Sequence, residues 1–208
     1  MRSRQTNKPD KYIVSECVKV LRDELPYNLH IFVNSVEFIA KVIDTLKLAP
    51  EAVKVVCSTS GESRQENQRK LGNAYPIGQP SDPAKKINFY TSTCFEGCDI
   101  FDPDGVTFIV SDGRKAHTLL DISTLFTQIC GRIRDSRYKA QIVHVYSTTK
   151  YSKAVTLDEF VAATQRTLAD AESYAAEINS LSEATRVKTL SKIPYINEQY
   201  VRIVNNRL

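Results

Sequence analysis

Apolar residues in this chain follow two rhythms. Continuous runs at residues 29–33, 53–57, 87–90, 106–110 and 141–146 are short and bounded by polar or turn-forming residues. Runs of that kind predict strands buried on both faces. Between them the period changes to that of a helix. Ile13, Val14, Cys17, Val18 and Leu21 recur within residues 11–24, before Pro26. Phe38, Ile39, Val42, Ile43 and Leu46 recur within 36–48, and Leu119, Ile122, Leu125, Phe126 and Ile129 within 118–133. The spacing places each set on one face of a helix. Strands alternating with helices predict an α/β fold: a parallel sheet with helices on both faces.

The remaining stretches break that rhythm. Residues 1–10 are polar and predict a loose arm, which with the 11–24 helix makes an N-terminal appendage to a domain over 25–150. Residues 58–83 are a polar insert, with a charged helix at 62–71 and then a loop holding Gly72, Pro76, Gly78, Pro80 and Pro83. From Thr156 onward no strand pattern remains. Thr156 and Glu159 match a capping box. Helices are predicted to about residue 181, over 182–192 and over 194–205, so 151–208 reads as a helical extension. Its Lys188, Lys192, Tyr195, Tyr200, Arg202 and Arg207 suit either nucleic acid or a solvated face.

Composition narrows the classes. Hydrophobic residues make up 42% and charged residues 25% of the 208, which excludes a disordered chain. A net charge of +4 is compatible with a polyanionic partner. The five cysteines lack disulfide-framework spacing, so a reducing, cytoplasmic setting is expected. Cys94 and Cys98 have no second ligand pair at metal-site spacing, so no metal site is expected. No apolar run is long enough for a membrane span. His30, His117 and His144 stand in no recognisable spacing with a serine or cysteine nucleophile.

Candidate chemistry gathers where strands end. Asn34 and Ser35, Ser58 and Thr59, and Thr91, Ser92 and Thr93 each follow a predicted strand. In a parallel sheet those loops share one rim, where ligands gather. Hydroxyls there suit phosphate oxygens, although Asn34 and Ser35 also suit a helix cap. Further along, Gln128-x-x-Gly131-Arg132-x-Arg134 carries two guanidinium forks, each shaped for a phosphate.

The order of these stretches resembles the second RecA-like domain of superfamily 2 helicases and translocases, over residues 25–148. Ile31-Phe32-Val33-Asn34-Ser35 is similar to motif IV, Thr91-Ser92-Thr93-Cys94-Phe95-Glu96-Gly97-Cys98-Asp99 to motif V, and Gln128 to Arg134 to motif VI. The Gly131-Arg132-Ile133-Arg134-Asp135 ending is similar to the origin-binding helicases of herpesviruses and their phage or bacterial relatives.

The resemblance implies a RecA-like fold and a role for each stretch. Asn34, Ser35, Ser58, Thr59, Thr91, Ser92 and Thr93 would meet a nucleic-acid backbone, with DNA expected ahead of RNA. Glu96, Gly97, Asp99 and Gln128 would line the nucleotide cleft, Asp99 near the ribose. Arg132 would reach the γ-phosphate of ATP. The second finger departs from the family's spacing, and Arg134 or Arg137 would fill it. The chain has no G-x-x-x-x-G-K-[ST] and no acidic metal-binding motif after a strand. ATP and Mg²⁺ would therefore be held mainly by a first RecA-like domain, in the same or another chain, and this chain alone is not expected to hydrolyse ATP. The alternative is a non-catalytic nucleic-acid-binding or regulatory module that keeps only the fold.

Overall fold

The computed structural model describes residues 1–148, 155–191, 201 and 203–208. The chain divides into two compact units, Met1–Lys150 and Tyr151–Leu208. In the first unit the strands are β1 (Arg2–Gln5), β2 (Asn28–Phe32), β3 (Val53–Val56), β4 (Ile87–Tyr90), β5 (Gly105–Asp112) and β6 (Ile142–Ser147). They form one sheet in the order β1-β6-β5-β2-β4-β3, and every neighbouring pair is parallel.

Residues alternate between two apolar layers, as the two-residue period of a strand requires. Leu29, Ile31, Val55, Phe89, Val106 and Phe108 pack with α1 (Pro9–Leu21) and α2 (Val36–Leu46) through Ile13, Cys17, Ile39 and Val42. Phe32, Val56, Tyr90 and Ile109 face the other way. They pack with Phe95, Ile100, Phe126, Ile129 and Ile133. The fold is thus the α/β parallel sheet covered on both faces that the strand pattern predicts.

Polar residues inside this sheet have internal partners. His30 is fully buried, with Nδ1 3.1 Å from the Tyr90 hydroxyl and Nε2 2.8 Å from Asp102. Burial holds the imidazole below its ordinary range against the opposing pull of Asp102, so the ring is neutral. The Tyr90 hydroxyl then donates to Nδ1, and Nε2–H donates to the Asp102 carboxylate. Asn28 also donates to that carboxylate, at 3.0 Å. A Cβ on Gly105 would stand 2.9 Å from His30 Nε2, so glycine is needed for the strand to pass.

Two expectations change. Residues 1–10 are not a loose arm: Arg2–Gln5 pairs with β6 and Pro9 opens α1, so both belong to the same unit as the sheet. A four-residue edge strand, exposed throughout, carries no apolar signature for the sequence to display. Residues 118–133 are not one helix. The Thr118 hydroxyl accepts from the Asp112 amide at 2.9 Å and donates to the Lys115 carbonyl at 2.8 Å, turning the chain. A π-helical run, Ile122–Phe126, leads into the short α4 (Thr127–Cys130). Phe126 and Ile129 point inward, but Leu119 is 49% and Ile122 75% exposed. At the other sheet edge the polar insert is a charged helix and then a loop, as expected. After the charged helix α3 (Glu62–Leu71), Gly78 donates to the Val55 carbonyl at 2.9 Å, covering β3.

In the second unit, α5 (Leu157–Ser180) starts from the capping box of Thr156 and Glu159, and α6 (Glu183–Leu190) follows. The buried Arg186 donates to the carbonyls of Asn206, Asn179 and Leu181. The expected 194–205 helix lies largely outside the described residues, as do Lys192, Tyr195, Tyr200 and Arg202. At its end Val204 and Arg207 form an antiparallel bridge, with Asn205 and Asn206 left-handed at φ 50° and 58°. That is turn geometry and not helix.

The buried imidazole makes stability depend on pH. Its folded pKa lies below the unfolded 6.5, so its contribution is present above pH 6.5 and is lost as pH falls below that value. Urea midpoints measured from pH 8 to pH 5 should drop at the acid end. His30→Phe should cost about 2–4 kcal/mol at pH 8 by leaving Tyr90 and Asp102 short of a partner. The variant should also show a shallower acid slope, and an unchanged slope would contradict the neutral ring.

Candidate functional site at the carboxyl rim

Because all the strands run parallel, the loops after β2, β3 and β4 open on one rim. The predicted residues on that rim divide into two kinds. Ser35 is 7% exposed and its hydroxyl accepts from the Phe38 amide, so it caps α2. Thr91 is buried, donates its amide to Val56 and turns the chain into a 3₁₀ helix at Ser92–Cys94. Ser58 is half-buried and its hydroxyl lies 3.0 Å from that of Ser60. These three are structural. Thr59, Ser92 and Thr93 are exposed. Asn34 joins the loops: its Oδ1 accepts from the Ser92 amide at 3.3 Å, and its Nδ2 donates to the His117 carbonyl at 2.9 Å.

From the rim the chain crosses the sheet face to reach the start of β5. Along this crossing the motif-V-like and motif-VI-like stretches meet. Ile100 and Ile133 pair as a parallel bridge, with the Ile100 amide 2.9 Å from the Arg132 carbonyl and the Arg134 amide 3.0 Å from the Ile100 carbonyl. Both isoleucines point into the core. Their polar neighbours are set by that pairing. Gly97, at φ +72°, adopts a backbone conformation that side chains rarely tolerate, and Glu96 beside it is exposed.

The two arginines have different environments. Arg132, expected to be the first finger, is 6% exposed. Its Nε donates to the Gln128 carbonyl at 3.0 Å, one Nη to the Cys98 carbonyl at 2.9 Å, and the other to the Gln128 side-chain oxygen. It ties the two stretches together from within. Arg134 is half-exposed, and its Nε lies 2.7 Å from Asp99. The fork expected at a phosphate and the acid expected at a ribose are here each other's partner. Arg137 pairs with Asp104.

Sequence reasoning missed two features. Asp112, at the end of β5, accepts both a bidentate Arg114 fork and the Ser147 hydroxyl at 2.7 Å. The guanidinium beside it holds its carboxyl well below the usual range. The signal was a strand ending in Asp112-Gly113-Arg114. The second is His144, whose Nε2 lies 3.1 Å from Ser111 Oγ across neighbouring strands. No fixed sequence spacing reveals such a pair. Burial pushes the Cys94 thiol up to about 12, which makes it a poor nucleophile. Among the described residues no group of His, Cys, Asp and Glu is placed to hold a metal ion, and no helix is long and apolar enough to cross a membrane.

No family model matches the chain, and no curated protein does. Among solved structures it is similar to the C-terminal domain of the DEAD-box protein Dbp5, at 13% identity and a TM-score of 0.38, covering 80% of this chain and 82% of that one. That likeness assigns no residue a role.

The contrast between the arginines is testable. Arg132→Ala should destabilise the fold by about 2–4 kcal/mol, because it orphans buried carbonyls and opens a void. Arg132→Lys should recover little of that, since a single ammonium cannot replace the fork. Arg134→Ala should change stability by no more than about 0.5 kcal/mol. Thermal and urea unfolding of the three variants decides it, and a neutral Arg132→Ala would refute the tie.

Proposed function

We propose that this chain is the C-terminal motor domain of an ATP-dependent nucleic-acid helicase or translocase, working with an N-terminal RecA-like domain. The observation that carries this reading is the pairing of residues 98–100 with 132–134, more than thirty positions apart in sequence. The two stretches that resemble motifs V and VI become one continuous surface beside the hydroxyl-bearing rim. The finer placement among origin-binding helicases has the Gly131-Arg132-Ile133-Arg134-Asp135 ending as its support.

In this reading the arginines act differently. Arg132 is a positioning residue that fixes Gln128 and the Cys98 backbone. Arg134 is the arginine able to reach outward, with Asp99 as its resting partner. A polyphosphate carries more negative charge than one carboxylate, so Arg134 would leave Asp99 for a phosphate held at the cleft. Asp99 would then accept hydrogen bonds from ribose hydroxyls, with Gly97 leaving room for the backbone. ATP with Mg²⁺, held by the first domain, would supply the phosphoryl chemistry. This chain would contribute the fork. Thr59, Ser92 and Thr93, with backbone amides beside them, suit the sugar-phosphate chain. Such contacts carry no base code, so they serve DNA and RNA alike.

A non-catalytic module keeping only the fold is the second reading, and one observation favours it: both arginines already have partners within the chain. One measurement tests the nucleic-acid surface and a second separates the readings. The chain alone should bind labelled single-stranded DNA with an affinity that falls steeply with salt. Thr93→Glu should weaken that binding by about tenfold, through like-charge repulsion at the backbone. Joined to its first motor half, Arg134→Ala should cut nucleic-acid-stimulated ATP hydrolysis by about 10³-fold or more. Hydrolysis at near wild-type rate in that variant, with Arg137→Ala equally silent, would leave the second reading.

A further inference from the structure

The opposite face of the sheet carries a second candidate site. Between β1 and α1 lies a cleft of about 330 Å³. Its floor is the sheet, where Ile142 and Val143 are partly exposed and Val106 and Phe108 are buried. One wall is α1 and the chain beyond it, presenting Tyr12, Tyr27 and the 8%-exposed Glu16. The other wall is β1, presenting Arg2 and Arg4. Side chains two apart on a strand share a face, so both guanidinium groups line the cleft. Gln5, on the alternate face, donates instead to Thr148.

The charges in this cleft are unevenly satisfied. Glu16 has a partner in Lys19 at 2.7 Å. Arg2 and Arg4 have no ion-pair partner among the described residues. Two unpaired forks side by side on one short strand repel each other and invite an anion with several acceptor oxygens. The opposing wall and floor ask for something else: a flat apolar body to lie against the tyrosine rings and Val143, with a donor edge to meet Glu16. One small molecule that carries both is a nucleotide with a single phosphate.

We propose that this cleft binds a nucleoside monophosphate, its phosphate on Arg2 and Arg4 and its base between the tyrosines and the sheet. The site lies on the face packed by α1 and α2, whereas Gln128 to Arg134 belongs to the other face. It does not depend on the motor reading.

The probes are adenosine monophosphate and inorganic phosphate, titrated calorimetrically into the whole chain. Adenosine monophosphate should bind and should weaken as salt rises. Arg2→Gln with Arg4→Gln keeps the edge strand polar and should weaken it at least about tenfold, the loss of charge-assisted bonds. Tyr12→Leu, on the other wall, should weaken it by about threefold through the lost ring contact. Inorganic phosphate should bind at least about tenfold more weakly than the nucleotide, lacking the ring. No binding at millimolar nucleotide, binding indifferent to both arginines, or phosphate equal to nucleotide would each overturn the proposal.

Discussion

The central strands of this sheet have no face toward water, and the rest of the molecule follows from that. β2, β4 and β5 are covered on both sides, so each polar residue in them needs an internal partner. His30 finds Tyr90 and Asp102. Asn88 donates to the carbonyls of Leu29 and Lys85. Chemistry that must stay wet is pushed to the strand ends and to the chain that crosses the sheet. The crossing segment serves the core through Ile100 and Asp102 and faces solvent through Glu96, Gly97 and Asp99.

A backbone shared between core and surface explains the division between the arginines. Once Ile100 and Ile133 pair in the core, the residues on either side of Ile133 have fixed directions. One side falls under the carbonyls of Gln128 and Cys98, where a guanidinium is well matched. The other falls at the edge, beside Asp99. A motif with two forks thus becomes one strut and one reachable group. Which is which depends on carbonyl positions and not on the identity of the arginines.

This bears on what the sequence could disclose. The strands β2 to β5 were legible because two-sided burial writes itself as apolar runs, and the half-buried β6 was legible from the same kind of run. The helices α1 and α2 and the capping box of Thr156 and Glu159 were legible from period and end chemistry. β1 was not, because Arg-Ser-Arg-Gln is paired by backbone alone. The helix over 118–133 was misread because Leu119 and Ile122 keep helical spacing while the Thr118 hydroxyl turns the backbone away. At the site, the rim and the adjacency of the two stretches were legible from strand order. The burial of Arg132 and the pairing of Arg134 with Asp99 were not, since both depend on contacts between segments distant in sequence.

The two edges of the sheet are guarded by unlike means. At β3 the chain itself returns: Gly78 occupies the Val55 carbonyl, and the Lys54 ammonium donates to the carbonyls of Pro80 and Asp82. That edge is covered by the chain's own loop. At β1 nothing in the described chain covers the outer hydrogen-bonding row, and protection falls to Arg2 and Arg4. A second copy cannot extend the sheet there without bringing like charges together. The molecule therefore has a directional growth block, a covering loop on one side and electrostatic on the other, and the second can be lifted by screening or by a neutralising anion.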